Sequence, residues 1–345
     1  MNPLVSVTIV TYNSRKYLAK CLNSVFRQTY RELEIILVDN ASTDGAGEML
    51  GGYESCARVI RNRRNLGFAI GQNQAIEASR GDWVLALNPD VRLEPDFLDR
   101  LVGSGTVDPR VGTVCGKLLR ATRDLGRPPE PRIDSAGLYF TPSFRHFDRG
   151  WNEPDDGRYS QAEYVFGATG AAALYRRRMI DSARLADGFF DPAFFSYRED
   201  ADVAWRAQLL GWRCLYVPEA VGHHVRRVIP NSRRNVPSRL RMHSVKNRFL
   251  MRIKNVTPDL YRRYWLPATF RDLLVVGGCL FTEPRSLPAF WRLARDFSRT
   301  LDRRRHIMRR RQATDDYIAA WFDNQAAGLP LPVRYANKLE TVPEL

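Results

Sequence analysis

Three stretches of this chain carry side chains whose types and spacing could do chemistry. The first is Trp83 to Val91, WVLALNPDV, with Asp90 near its end. A short apolar run stopped by proline reads as a buried strand whose last residues leave the sheet, since proline has no N–H for a ladder. A carboxylate just past a central strand stands where open α/β sheets bind ligands. Carboxylate oxygens suit Mg²⁺ or Mn²⁺, ions that usually bridge to phosphates. Taken alone, Asn88 and Asp90 read equally as ordinary turn residues. The second stretch is Asp191 to Trp212, with three acids at Glu199, Asp200 and Asp202. The spacing predicts a helix that starts between Tyr197 and Glu199, carries Val203, Ala207 and Leu210 on one stripe and ends at Gly211. Asp200 precedes Val203 by three and is expected on the face that packs inward. Glu199 and Asp202 lie further round, where the helix dipole favours acids and Asp202 can pair with Arg206. Asp200 is therefore the stronger catalytic candidate. The third stretch is His223-His224, after the strand Leu215 to Pro218. Neighbours on a strand point to opposite sides, so at most one faces a site, where a neutral imidazole can ligate a metal.

The elements that must position these groups alternate. Val5 to Val10 reads as a strand, Ser14 as the cap of a helix through Leu18, Cys21, Leu22, Val25 and Phe26, and Leu33 to Val38 as a second strand. That alternation predicts parallel βαβ units. The first loop lacks GxGxxG, which argues against a dinucleotide-binding enzyme and leaves phosphate recognition to another device, such as a metal. Arg58 to Ile60 is a short strand. Asn62 to Ala69 then leads into a helix through Asn73, Ala75 and Ile76, and its arginines and asparagines suit an anionic ligand. Pro95 to Val102 reads as a short helix and Val111 to Leu118 as a strand. Residues from about 120 to 160 read as a long irregular insertion near the active face. Tyr164 to Tyr175 reads as a strand pair, or one strand with glycine breaks, where small residues let a substrate approach the backbone.

Composition limits the function classes. The chain has 345 residues, 44% hydrophobic and 26% charged, with a net charge of +15. Such a surplus implies an anionic partner. The five cysteines show no CxxC spacing, which argues against a zinc site or disulfide framework and for a reducing compartment. No signal peptide and no apolar run of membrane-spanning length is read. Beyond Arg226 the chain becomes basic and helical. Arg239 to Lys254 forms one helix, Leu266 to Phe281 is apolar on most faces, and Trp291 to Arg311 mixes apolar residues with an arginine run. This region suits either an anionic membrane surface or a helix packed on the main domain. A basic nucleic-acid-binding protein fits the charge alone, but zinc-finger, RNP-like and helix-turn-helix signatures are missing.

In this order and at these spacings the motifs resemble one family, the inverting, metal-dependent family 2 glycosyltransferases, in the bacterial branch that includes rhamnosyltransferases of cell-surface polysaccharide assembly. The resemblance runs from about Val5 to Asn255. It is carried by Thr11-Tyr12-Asn13, VDNASTDG from Val38, NLGFA from Asn65, NPDV from Asn88, FGATG from Phe166, YREDADVAWR from Tyr197, the histidine after Pro218 and KNRFLMRIKN from Lys246. It implies an α/β GT-A fold with a mostly parallel central sheet over residues 1–255, followed by a basic helical region over 256–345. It further implies a nucleotide diphospho-sugar donor, dTDP-rhamnose first and a UDP-hexose or UDP-galactofuranose as alternatives. The acceptor would be a glycan or lipid-linked glycan, and the enzyme would be cytoplasmic, at the inner face of the membrane. Thr11, Tyr12, Asn13, Asp39, Asn40, Asp44, Asn65, Gly67, Asn73, Asn88 and Asp90 would lie along the nucleotide sugar. Thr169 and Gly170 would face the acceptor. Asp90 and His224, with His223 as fallback, would hold Mg²⁺ or Mn²⁺. Asp200 would be the base and Glu199 would hold the acceptor. One departure stands out: Asn88 occupies a position where the usual metal motif has an acid, so the site has one negative charge fewer.

Overall fold

The structure is a computed structural model that describes residues 2–226 and 237–326. Arg233, Arg234 and residues 327–345 of the expected C-terminal region lie outside the described residues.

Along the first half, strands β1 (Val5–Thr11), β2 (Leu33–Asp39), β3 (Arg58–Arg61) and β4 (Trp83–Leu87) alternate with helices α1 (Arg15–Phe26), α2 (Ala46–Leu50) and α3 (Phe68–Glu77). These are followed by β5 (Val91–Leu93), α4 (Phe97–Gly105) and β6 (Val111–Arg120). The expected insertion holds β7 (Ile133–Ser135) and a hairpin of β8 (Leu138–Phe140) and β9 (His146–Asp148). Then come β10 (Glu163–Val165), β11 (Ala172–Arg176), α5 (Arg177–Ala183), α6 (Glu199–Leu209) and β12 (Arg213–His224). The chain closes with α7 (Ser238–Asn255), α8 (Pro258–Phe281), α9 (Pro288–Arg295), α10 (Phe297–Arg309) and α11 (Asp315–Ala326).

The main sheet runs β10-β12-β6-β11-β4-β1-β2-β3. β3, β2, β1 and β4 are mutually parallel, and β6 and β12 run the same way. β11 is reversed between β4 and β6. The α/β class with a mostly parallel central sheet is as the sequence predicts. All five residues of β4 are buried because helices cover both faces of the sheet. Trp83, Leu85 and Leu87 join the core holding Leu18, Leu22 and Leu98, while Val84 and Ala86 join that of Ala69, Met179 and Val203. The period of two along the strand thus feeds two separate cores.

Several local expectations are corrected. Tyr164 to Tyr175 is neither a strand pair nor one strand. β10 pairs with β12 and β11 with β4 and β6, so the FGATG segment crosses the sheet between them. Ser14 precedes α1, but its side chain does not cap it and turns back to the Tyr12 carbonyl. Asp44 meets the helix N-terminus instead, its Oδ2 accepting from Arg15 N at 2.9 Å while Oδ1 accepts from Ala46 N at 3.0 Å. The strand at Leu215 continues through Pro218 to His224 across a register shift between Val217 and Val221, which tolerates the proline.

Candidate active site

The sheet topology brings the three chemical stretches to one edge. β1 lies between β2 and β4, so the ends Thr11, Asp39 and Leu87 neighbour one another. Thr11 and Asp39 are register partners and both are buried. Thr11 Oγ1 has no protein hydrogen-bond partner, and Tyr12 is exposed just beyond it. Asn13 holds φ +50°, and its Oδ1 accepts from Thr43 N at 2.8 Å. Asn13 and Asp44 therefore brace the loops around this mouth.

The loop after β3 is organised by asparagines that bind backbone. Asn40 Nδ2 donates to Asn65 Oδ1 at 3.1 Å and to the Gly67 carbonyl at 3.0 Å, and its Oδ1 accepts from Asn62 Nδ2 and Leu66 N. Asn73 holds both polar groups of Phe190, at 2.7 and 2.9 Å. These amides position the candidate donor loop and tie it to the segment that leads to the acids. Gly67 is required there: at φ +88°, an added Cβ would stand 2.4 Å from the Phe195 carbonyl.

After Leu87 the chain turns through Asn88-Pro89-Asp90 into β5, a strand the sequence did not reveal because it is three residues long. β5 pairs antiparallel with the end of β12, with His224 opposite Val91. This pairing brings His224 to Asp90, Nε2 to Oδ1 at 3.5 Å. His224 Nδ1 meets Asp134 Oδ2 at 2.7 Å. Asp134 also accepts from Arg226 Nε at 2.8 Å, and Arg226 reaches Asp148 Oδ2 at 2.6 Å. Burial works against charging the His224 imidazole, but Asp134 and then Asp90 outweigh it and raise its pKa to about 10. Burial likewise pushes Asp134 up, and His224 and Arg226 overcome it to hold the carboxyl near 2. His223 points the other way, with Nε2 2.9 Å from Glu94 Oε1. Of the two histidines, His224 is the one beside Asp90.

A carboxylate, an imidazole and an acid behind the imidazole form a donor set that suits a divalent ion. No three His, Cys, Asp or Glu side chains form a ready-made metal cluster among the described residues. Asp90 and His224 would supply two ligands, leaving the rest to phosphate and water. Asn88, half-buried next to them, offers an amide oxygen where an acid would add charge.

The three acids of α6 are distributed differently from the expectation. Asp202 is the inward one. It is fully buried, with Oδ2 accepting from Arg206 Nε at 3.0 Å and Lys254 Nζ at 2.9 Å, and Oδ1 from Asn255 Nδ2 at 2.8 Å. The Asp202–Arg206 pairing is as predicted, but it is buried, because α7 brings Lys254 and Asn255 to cover it. Asp200 lies at the half-buried rim, its Oδ2 accepting from Gly170 N at 2.9 Å and Oδ1 from Ala201 N at 2.7 Å. Burial raises the Asp200 pKa, partly offset by those two N–H groups. Glu199 is buried, and Oε2 lacks a protein partner. Burial and then the Asp200 charge raise its pKa to about 8. Thr169 and Gly170 are buried beside Asp200, at the crossing that follows β10.

The loop before α6 is unusual. Phe195, Tyr197 and Arg198 all hold φ between 65° and 72°. Each such residue costs about 1–3 kcal/mol and persists only when its surroundings enforce it. Here the side chain of Asn247 does so, its Nδ2 lying 2.9, 3.0 and 2.8 Å from the carbonyls of Phe194, Ser196 and Tyr197. Arg198 also meets His146 of β9 at 3.1 Å. Asp134, Asp148, His146, Arg226 and Asn247 were not singled out from the sequence. Asp134 sits in β7, a strand of three residues too short for spacing to carry a signal, and Asn247 lies in a motif whose residues looked merely helical.

The chain belongs to the glycosyltransferases of family 2: a family model described as Glycosyl transferase family 2 matches residues 6–183. Among relatives, it is 29% identical over 241 residues to the N-acetylglucosaminyl-diphospho-decaprenol L-rhamnosyltransferase of Mycobacterium tuberculosis, covering 65% of this chain and 77% of the relative. Among solved structures it is similar to GalNAc-T7 with UDP, GalNAc and Mn²⁺, with a TM-score of 0.55 at 17% identity, covering 73% of this chain and 48% of that one. It is also similar to Staphylococcus aureus TarS, with a TM-score of 0.53 at 17% identity, covering 83% and 47%. The chain thus spans about half the length of those two structures, and their likeness bears on fold alone.

Proposed function

We propose that this enzyme transfers a sugar from a nucleotide diphospho-sugar to an acceptor hydroxyl, with inversion, in the assembly of a cell-surface polysaccharide. The observation that carries the reading is the pairing of β5 with β12, which brings Asp90 and His224 together at the sheet edge shared with Thr11 and Asp39. Asp200 would take the proton of the acceptor hydroxyl as that oxygen attacks the anomeric carbon. The bond from that carbon to the diphosphate breaks, and its electron pair leaves with the diphosphate. One displacement needs one base and no protein nucleophile. Glu199, held neutral at pH 7 by its raised pKa, would donate a hydrogen bond to the acceptor without adding charge beside the base. A divalent ion, held by Asp90 and His224, would neutralise charge developing on the leaving diphosphate. Residues 1–255 would carry this chemistry and α8–α11, residues 258–326, would form a helical annex.

The first donor to test is dTDP-rhamnose, because the M. tuberculosis relative is named a rhamnosyltransferase. That name also specifies a diphospho-decaprenol carrier, which supports a lipid-linked acceptor here. The test is thermal stabilisation by nucleotide sugars with and without Mn²⁺ or Mg²⁺, since a ligand that binds only the folded state raises Tm by mass action. A metal-dependent rise with dTDP-rhamnose supports donor and metal together. A rise with a UDP-sugar alone replaces the donor. No rise with any donor and metal overturns the reading.

A further inference from the structure

Large apolar side chains facing solvent are concentrated in one region. Eleven of the fifteen found among the described residues lie between Tyr261 and Phe297. Within α8, Leu266, Phe270, Leu273, Leu274, Leu280 and Phe281 are 50% to 86% exposed. Their spacing is that of a single stripe on a helix of 3.6 residues per turn. The opposite side of α8 faces the protein. Asp272 pairs there with Arg248 and Arg252 of α7, and Cys279 and Val275 pack with Met242, Val245 and Ala289. The helix is therefore apolar on both sides, with Val275 and Cys279 turned inward beside Asp272 and leucines turned outward. Trp265, Trp291 and Phe297 add exposed aromatic rings to the same region. A contiguous apolar surface of this kind marks an interaction site.

The surrounding charge indicates what covers it. Over α8–α11, residues 258–326, 13 arginines stand against eight acids, Asp259, Asp272, Glu283, Asp296, Asp302, Asp315, Asp316 and Asp323. Each of those acids already pairs with an arginine of this chain, which leaves the region a net positive charge. A second copy of the chain would bring two surfaces of the same strong positive charge together. An anionic surface would not.

We propose that this face docks on an anionic lipid bilayer, with the α8 stripe in the interface and the exposed arginines of this region, such as Arg285, Arg299, Arg309 and Arg310, among the headgroups. No helix among the described residues is long and apolar enough to cross a membrane, so the contact is interfacial. Exposed tryptophans such as Trp265 and Trp291 suit the headgroup level. The face also reaches toward the acids. Tyr261 at the start of α8 stacks on Phe144 of the β8–β9 hairpin, and His146 of that hairpin contacts Arg198, next to Glu199. A bilayer against α8 lies one hairpin from the proposed base, which suits an acceptor carried on a lipid. The proposal deepens the lipid-linked reading of the acceptor.

The experiment is co-sedimentation of the full chain with vesicles of phosphatidylglycerol and phosphatidylcholine, against phosphatidylcholine alone. The chain is expected to bind the anionic vesicles, and about 0.5 M NaCl should weaken binding at least tenfold. The triple variant Phe270→Ser, Leu273→Ser, Leu274→Ser should lose at least about tenfold in binding while keeping its helical circular dichroism. Val107→Ser, an exposed apolar residue elsewhere, should bind as the parent does. The proposal is overturned if the parent does not bind anionic vesicles, or if the triple variant binds equally. It is also overturned if the parent is a dimer that the triple variant disperses and neither binds vesicles. Vesicle binding without donor stabilisation would remove the enzyme mechanism alone. Transfer to a soluble acceptor without vesicle binding would remove the docking face alone.

Discussion

At the scale of single residues, Asp200 and its neighbours make predictions with signs. Asp200→Asn should lower kcat by about 10²–10⁴-fold while donor affinity stays near that of the parent, measured by single-turnover rates and donor titration. Because burial raises the Asp200 pKa, kcat/KM should fall on acidification at a higher pH than a solvent-exposed aspartate would give. Glu199 acts on stability. Its carboxyl moves from an ordinary 4.5 to about 8 on folding, so the folded state holds a proton that the unfolded state has lost. Stability should therefore fall as pH rises from the first value to the second. Glu199→Gln removes that penalty and should stabilise the protein at pH 9, by the order of 1–3 kcal/mol, and little at pH 4, as read by urea denaturation. His224 offers a third test. With its pKa near 10, ion binding must displace a proton, so Mn²⁺ titration should release about one proton at pH 7, visible as a buffer-dependent heat. Asp134→Asn should weaken Mn²⁺ binding by about 10–100-fold. Asp90 and His224 stood out in the sequence because each follows a recognisable strand; Asp200 stood out at the start of a helix, but the inward face expected for it belongs to Asp202. Asp134 did not stand out, since a strand of three residues gives no pattern to show which acid will face a histidine ninety positions away.

Among the elements, α6 and α7 form the clamp that aims the acids. Asp191, Asp202, Arg206 and Lys254 are fully buried and mutually paired, and Arg303 of α10 closes on Asp191 at 3.0 Å. Lys254→Met should cost about 3–5 kcal/mol, because it removes the buried cation shared by Asp191 and Asp202 and leaves each carboxylate one partner short, and chemical denaturation will measure it. Asn247→Ala should be milder in stability yet lower kcat, since it frees three carbonyls of the loop that sets Glu199 and Asp200. The helix over 199–209 and the strands of the first half were readable from periodicity. The inward face of α6 was misassigned because one stripe cannot show that a second helix will bury the opposite acid. The arginine run of α10 suited either a membrane surface or a helix packed on the main domain, and Arg303 and Arg304 do turn into the protein, to Asp187, Asp191 and the carbonyls of Ile253 and Val256.

Across the whole molecule, the loop after β3 and the loop before α6 are packed as one object. Gly67 leaves no room for a Cβ against the Phe195 carbonyl, and Asn73 grips Phe190 from the other side. The family match ends at residue 183, before either partner on the acid side. That has a consequence for recombination. A chimaera cut near residue 184, with a front half from one relative and a rear half from another, would keep each half intact and still mismatch at this seam. Such hybrids should express and fold poorly unless both sides of the Gly67–Phe195 and Asn73–Phe190 contacts come from the same parent. Exchange of the front half alone should therefore be a poor route to a new donor preference, because the loop after β3 is packed against the loop before α6.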